Sequence, residues 1–289
     1  MGMQVSIGTN MVESGPPWRM ARKHLARLAE AGARLVDLHM GARYEAAGGV
    51  LRPTRYFVEF HNPQHWREMA RWLDELGLTP VCSHTSAMDL VDISSTDEAV
   101  RGFVLAELRA MLPFCAFFKS PVMVVHPGGK LQPGEARAGR WDQMRRTVTA
   151  LLPDLEKHGV RIALENLMTS LGAVVEELLA VVQELSHPLV GVCLDTGHLN
   201  VTKGRPEAAV RTIGPKLFAL HVHDNNGLSD QHLPPGDGTT DWTGFVSALK
   251  DVGYAGSLNL EVFDPKPLDG MASPDFIRRS LEAGRRLAS

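Results

Sequence analysis

The chain has 289 residues, 44% of them apolar and 22% charged, with a net charge of −3. That is the profile of a soluble globular protein with a sizeable core, at a length that suits one barrel domain. The charge balance gives no global attraction to nucleic acid or an anionic membrane, and no apolar run approaches membrane-spanning length. Three cysteines, Cys82, Cys115 and Cys193, have no CxxC spacing and cannot build a disulfide framework. The opening MGMQVSIGTN lacks a positive start followed by an apolar stretch, so a cytoplasmic location is expected.

In chain order, short runs rich in Val, Ile or Leu predict strands at 3–9, 34–40, 79–84, 121–126, 160–165, 189–195, 217–222 and 257–262. Helical periodicity fills the gaps at 17–32, 63–77, 97–112, 141–158, 172–186, 205–213, 242–252 and 273–288. Gly77 and Gly159 are stop signals, and Pro206 is a first-turn start signal. Strict alternation of strand and helix predicts an α/β fold, a (β/α)8 TIM barrel in a single domain over 1–289. The stretches 41–62, 127–140 and 223–241 fit no element. Each follows a strand and so belongs to the face where barrel sites form. The first of them carries Arg43, Tyr44, Arg52, Arg55 and Tyr56 beside Gly48 and Gly49, and reads as a lid or a long surface loop. Trp18 and Trp242 lie next to apolar helix faces and read as core.

Six strands end in a residue that can bind a metal: VCSHT with His84, VMVVHPG with His126, RIALEN with Glu165, VCLDTGH with Asp195 and His198, ALHVHDN with His221, and SLNLEVF with Glu261. The loop piece SDQH adds Asp230 and His232. A protein-held divalent cation needs carboxylates or neutral imidazoles converging from several directions, and the mouth of a parallel barrel supplies that convergence. Singly, each has an ordinary explanation: His126 as the start of a tight turn, Asp195 as a helix cap, Asp230 and His232 as a solvated loop. Their joint occurrence at strand ends does not. Nine ligands exceed what one ion can use, so the set suits one to three ions per chain.

With these motifs the chain resembles the xylose isomerase-like TIM-barrel superfamily, which includes sugar phosphate isomerases and epimerases as well as endonuclease IV. The resemblance runs from the SHTS strand to the LNLEVF strand and is carried by ALEN, VCLDTGH, HVHDNNG, DQHLPPGDGTTDW and LEVF. It implies that Glu165, Asp195, His221 and Glu261 form the single-metal site of the sugar epimerases, with His198 a neighbouring metal or substrate ligand. The resemblance also prefers His221 over His223, since the family's metal histidine usually has an acidic residue three positions later, here Asp224. His84, His126, Asp230 and His232 match the further positions of the three-zinc site of endonuclease IV. Asn166 and His223, with His198, are assigned to substrate.

The superfamily hosts more than one chemistry, so fold alone does not choose. The expected activity is isomerisation or epimerisation of a small sugar, sugar phosphate or polyol, with Glu165 and Glu261 as the catalytic pair passing a proton through a metal-stabilised enediolate. A dehydratase is a close variant. The alternative is a multinuclear zinc phosphodiesterase of the endonuclease IV kind. Against nucleic acid stands the lack of a basic stripe: Arg19, Arg22, Lys23 and Arg27 read as the solvated face of the first helix. Arg137, Arg140, Arg145 and Arg146 lie nearer the mouth, where they could meet a substrate phosphate. A barrel that only binds its ligand is disfavoured by the intact carboxylate pair. The ligand types favour Zn or Mn, with Co, Fe or Mg as further candidates. Ketose 3-epimerases carry an arginine six residues after the metal histidine, where this chain has Gly227. The expected partner is a small carbohydrate, with no membrane, and homo-oligomer formation is left open.

Overall fold

The computed structural model describes residues 3–12, 18–40, 60–85, 92–131, 134–169 and 171–289, and the backbone alone of 42–47 and 50–56. Among the described residues there are ten strands: β1 (Gln4–Gly8), β2 (Leu35–Met40), β3 (Ala42–Ala47), β4 (Val50–Tyr56), β5 (Thr79–Thr85), β6 (Val122–Val125), β7 (Arg161–Glu165), β8 (Val190–Asp195), β9 (Leu217–His221) and β10 (Ser257–Leu260). Eight of them form one parallel sheet in the order β10-β1-β2-β5-β6-β7-β8-β9. A parallel bridge from Val222 to Leu260, with Val222 N–H donating to Asn259 O and Glu261 N–H to Val222 O, joins the two ends. The result is the (β/α)8 barrel. Among the described residues no helix is long and apolar enough to cross a membrane.

The helices are α1 (Trp18–Glu30), α2 (Pro63–Leu76), α3 (Glu98–Phe117), α4 (Arg137–His158), α5 (Val175–Leu185), α6 (Thr196–Val201), α7 (Pro206–Ile213), α8 (Trp242–Asp251) and α9 (Pro274–Ala288). Gly77 and Gly159 close α2 and α4 with φ 64°, a left-handed conformation that glycine adopts without a Cβ clash. Three readings are corrected. The stretch 41–62 holds an antiparallel hairpin, β3 with β4, instead of no element; its side chains, and so the lid reading, lie outside the described residues. The stretch 127–140 is shorter than expected because α4 begins at Arg137, and α3 runs past 112 to Phe117 through Pro113. His198 sits on a further short helix, α6, which Asp195 caps and which the periodicity does not predict.

The two-residue period of a strand decides what faces the barrel axis. On β6 and β7, Met123, Val125, Ile162 and Leu164 join the large apolar layer under the helices. Their alternates Val122, Val124 and Ala163 join Cys82, Cys193 and Ala219 in a separate small cluster inside the barrel. Small side chains there leave room for polar residues above them.

Trp18 stacks on His65 and packs against Trp72, on the outer layer, as the core reading expects. On α1, Arg22 pairs with Glu75 and Lys23 with Asp269 at exposed positions, where such pairs contribute little to stability. Arg27 departs from that solvated face: its side chain is largely buried, pairs with Asp269 and donates to Leu268 O and Ala272 O.

Candidate metal centre

Carried one step up each strand, the same alternation puts a polar residue at the mouth every time. The positions are Asn10 after β1, His39 on β2, His84 on β5, His126 after β6, Glu165, Asp195 and His221 ending β7, β8 and β9, and Glu261 after β10. Glu165 and Asp195 are 1% and 0% exposed, and His221 is 1% exposed. His221 Nδ1 lies 3.0 Å from Glu165 Oε1, 3.1 Å from Glu261 Oε2 and 3.9 Å from Asp195 Oδ2. The other oxygen of Glu165, Oε2, lies 3.0 Å from His84 Nε2 and 3.2 Å from His126 Nε2.

A second group stands beside the first. His198 Nδ1–H donates to Asn166 O at 2.9 Å, which turns Nε2 toward Asp230 Oδ2 at 3.4 Å. His232 Nδ1–H donates to Glu261 O at 2.8 Å and sets its Nε2 2.9 Å from the same Asp230 oxygen. A carbonyl can only accept, so Nδ1 of both rings bears a proton, and Nε2 is the atom each ring would offer as a ligand once neutral. His232 holds a left-handed φ of 47°, a conformation disfavoured for a residue with a Cβ and characteristic of functional sites.

Asn166 and His223 are placed in supporting positions. Asn166 clasps the backbone of Asp195, donating to its carbonyl at 3.0 Å and accepting from its N–H at 2.7 Å. His223 is 0% exposed, with Nε2 3.0 Å from both oxygens of Asp195 and its ring stacked on His232 at 4.0 Å. Gly197 makes this possible: a Cβ there would fall 1.9 Å from the His223 ring.

The donor set fits divalent cations. Glu165, Asp195, His221 and Glu261 each offer an atom within 4.8 Å of the others, as do His84, Glu165 and His221, and His198, Asp230 and His232. A tetrahedral ion bound at about 2.0–2.1 Å sets its ligand atoms roughly 3.3 Å apart, close to many of these separations. Three buried carboxylates gathered on one imidazole need positive charge between them. Burial would raise the Glu165 carboxyl, but His221 and His126 hold it well below the usual carboxylate range. Glu261 is likewise held low by His221 against the effect of burial.

Two mouth residues escaped the sequence reading. Asn10 Nδ2 donates to Glu261 Oε1 at 2.9 Å, and His39 stacks on His84 at 4.7 Å between centroids. The signal for both was their parity on β1 and β2, not their residue type. The expected phosphate cluster is corrected. Arg137 pairs with Glu177, Arg140 with Asp92 and Glu135, Arg145 with Asp142 and Glu184, and Arg146 with Glu98. Their charges are committed to carboxylates of the chain itself.

A TIM barrel with a carboxylate and histidine cluster at its C-terminal mouth is the class that this fold and geometry define. Within that class, the chain belongs to the xylose isomerase-like TIM barrel family, whose model matches residues 25–287. It is similar to the uncharacterized protein MJ1311 of Methanocaldococcus jannaschii, 30% identical over 65% of this chain and 66% of that one. It is also similar to inosose isomerase of Bacillus subtilis, 26% identical over 61% of this chain and 66% of that one. The chain thus spans just under two thirds of these curated relatives, at 66% of each. Among solved structures, a D-psicose 3-epimerase determined in the presence of D-fructose superimposes with a TM-score of 0.77 at 16% identity, covering 99% of each chain. The IOLI protein with a binding zinc atom gives 0.76 at 18% identity, over 99% of this chain and 98% of that one. At these identities the structural likeness is one of fold.

Proposed function

We propose that the chain is a metal-dependent isomerase or epimerase of a small sugar, sugar phosphate or polyol, acting by proton transfer between two glutamates. The observation that carries this reading is the placement of Glu165 and Glu261 against one nitrogen of His221, at 3.0 and 3.1 Å. Glu165, Asp195, His221 and Glu261 would hold a divalent cation, for which a mixed oxygen and nitrogen set favours Zn or Mn over Mg. When bound, that ion would polarise neighbouring carbonyl and hydroxyl oxygens and stabilise the negative charge of an enediolate. The two glutamates come from β7 and the end of β10, so they reach a substrate carbon from different sides. One removes its proton and the other returns a proton to the adjacent position or the opposite face. His198, with Nδ1 tied to Asn166 O, has a fixed ring edge for orienting a hydroxyl. The names of the inosose isomerase and D-psicose 3-epimerase relatives, and the zinc in IOLI, support this class. Gly227 in place of an arginine argues for a substrate other than the usual ketoses.

The test is elemental analysis of protein purified without chelator, followed by C–H exchange in deuterated water over keto-sugars and inositol-like ketones. We expect about one ion per chain and exchange with at least one compound, absent in Glu261→Gln. No exchange at any metal loading would count against the reading.

Metal uptake should also release protons. Burial disfavours a charged His221 ring, but its neighbours Cys193, Glu165 and Glu261 outweigh that and raise it well above the ordinary histidine value. A raised value means that metal-free protein at pH 7 holds this proton, whereas a ligand must be neutral, so affinity should weaken as pH falls. Burial likewise opposes charge on His232, yet its bond to Asp230 and the charge of Glu261 bring it to about 9, so filling the second group would release another proton. Calorimetry in buffers of different ionisation enthalpy counts the protons. None released at pH 7 would mean that His221 takes no metal.

One observation favours the multinuclear phosphodiesterase as a second reading. Glu165 divides its oxygens, Oε1 toward His221 and Oε2 toward His84 and His126, as a carboxylate bridging two cations would. His84→Ala separates the two. On the single-ion reading its ion count stays that of the wild type; a loss of about one ion would move the search to phosphodiesters and abasic DNA.

A further inference from the structure

Beneath the proposed ligand His221 lies a carboxylate with no evident task. Asp37 sits in the middle of β2, one inward position below His39, and is 2% exposed. Its Oδ2 accepts from Asn259 Nδ2 at 2.8 Å. Asn259 Oδ1 in turn accepts from Ser6 Oγ at 3.2 Å, and Ser6 Oγ bonds Ser257 Oγ at 2.8 Å, so a polar ladder descends inside the barrel. Asp37 Oδ1 is buried and finds no hydrogen-bond partner among the described residues. No lysine or arginine among them pairs with Asp37; the basic group within ion-pair range is the His221 ring, with Nε2 3.8 Å from Asp37 Oδ2. A buried carboxylate supported by one amide is costly unless a positive or strongly polarised group faces it.

His221 has two ring nitrogens with separate surroundings. Nδ1 points to Glu165 and Glu261, the direction of the candidate cation. Nε2 points down the barrel toward Asp37. An imidazole that binds metal through one nitrogen keeps its proton on the other, and a carboxylate beneath that proton fixes the ring and strengthens it as a donor. We propose that Asp37 is a positioning residue for the metal centre: it receives Nε2–H of His221 when Nδ1 takes a divalent cation, and thereby sets the affinity for that cation. At 3.8 Å a small tilt of the ring makes this a hydrogen bond, and the unpartnered oxygen of Asp37 leaves the carboxylate free to turn toward it. The assignment rests on the metal-centre reading above and adds to it the residue that tunes it.

The test is zinc and manganese affinity of the full chain, measured by competition with a chromophoric chelator, alongside the melting temperature of the metal-free protein. Asp37→Asn should bind each ion roughly 10- to 100-fold more weakly, the range seen when such outer partners of a ligand are lost. Its metal-free melting temperature should stay at the wild-type value, which a purely structural carboxylate would not allow. Ser6→Ala cuts the ladder below Asp37 and should bind metal as the wild type does. Wild-type affinity in Asp37→Asn, or equal weakening in Ser6→Ala, overturns the proposal. Where Asp37→Asn does not fold, nitrogen-15 spectra of zinc-loaded wild type decide: a slowly exchanging Nε2–H on His221 supports it, and zinc on Nε2 overturns it. A wild type that binds neither ion removes the metal centre itself, a result distinct from unequal binding by the variants.

Discussion

Glu165→Gln should reduce turnover about 10³-fold or more and should also strip metal from the protein. The size follows from how many neighbours depend on one carboxylate. Glu165 is 1% exposed, and its two oxygens meet His221, His84 and His126 at 3.0, 3.0 and 3.2 Å. Glutamine keeps the volume but replaces one oxygen with a donor and removes the charge that holds these rings in place. Loss of a positioned general base alone costs about 10²–10⁴-fold. Loss of a ligand adds to it, because Asp195, His221 and Glu261 would have to hold the ion without their fourth member. The same variant distinguishes the two readings. If one ion serves proton transfer, metal content falls by at most one ion per chain and Glu261→Gln behaves alike. If Glu165 bridges two ions, its loss removes more metal than Glu261→Gln does. Elemental analysis and kcat/KM on the same preparations answer this, and turnover within tenfold of wild type would sink both readings.

Much of this centre was legible because a parallel barrel turns sequence position into spatial position. A run of branched residues that stops at His, Asp or Glu marks both a strand and its mouth-facing end. Glu165, Asp195 and His221 were found that way, and the structure sets them at the ends of β7, β8 and β9. What stayed hidden had no such mark. Asn10 and His39 face the mouth by parity alone, and asparagine after a short strand reads as a turn residue. Asp37 interrupts the apolar run LVDLHM, which reads as a flaw in a strand until the barrel shows that its inward side is polar. The arginines after β6 misled for the opposite reason: spacing shows where a charge lies along a helix, but not the carboxylates that other elements bring to it. The short helix α6 shows in sequence only as the cap reading of Asp195, since six residues are too few for a helical period. That carboxylate does cap the helix, accepting from His198 N–H at 2.7 Å, while both its oxygens lie 3.0 Å from His223 Nε2. The cap and ligand readings of one carboxylate do not exclude each other.

Asp224→Ala should cost on the order of 3–5 kcal/mol of stability, the largest loss expected from a single change outside the centre. Asp224 is 0% exposed and is the hub of the loop 223–241. Its Oδ1 accepts from Asn225 N–H at 2.9 Å, Thr240 N–H at 3.2 Å and Thr240 Oγ1–H at 2.9 Å. Its Oδ2 accepts from Gly236 N–H at 3.0 Å and Trp242 Nε1–H at 2.9 Å. Alanine strands these donors together, at about 1–3 kcal/mol for each one that water does not reach, and leaves a void where the carboxylate sat. Gly238 shows how closely the loop is wrapped, since a Cβ there would fall 2.3 Å from Asp224 Oδ1. The same loop carries Asp230 and His232, and the left-handed backbone of His232 persists only if the surrounding loop enforces it. The destabilised protein should therefore lose whatever ion the His198, Asp230 and His232 group holds before it loses the one at Glu165 and Glu261. Urea unfolding with metal analysis across the transition measures both effects, and stability within about 1 kcal/mol of wild type would show that the loop stands without its hub. The acidic residue three places after His221 then has a physical reason: it folds the loop that carries Asp230 and His232.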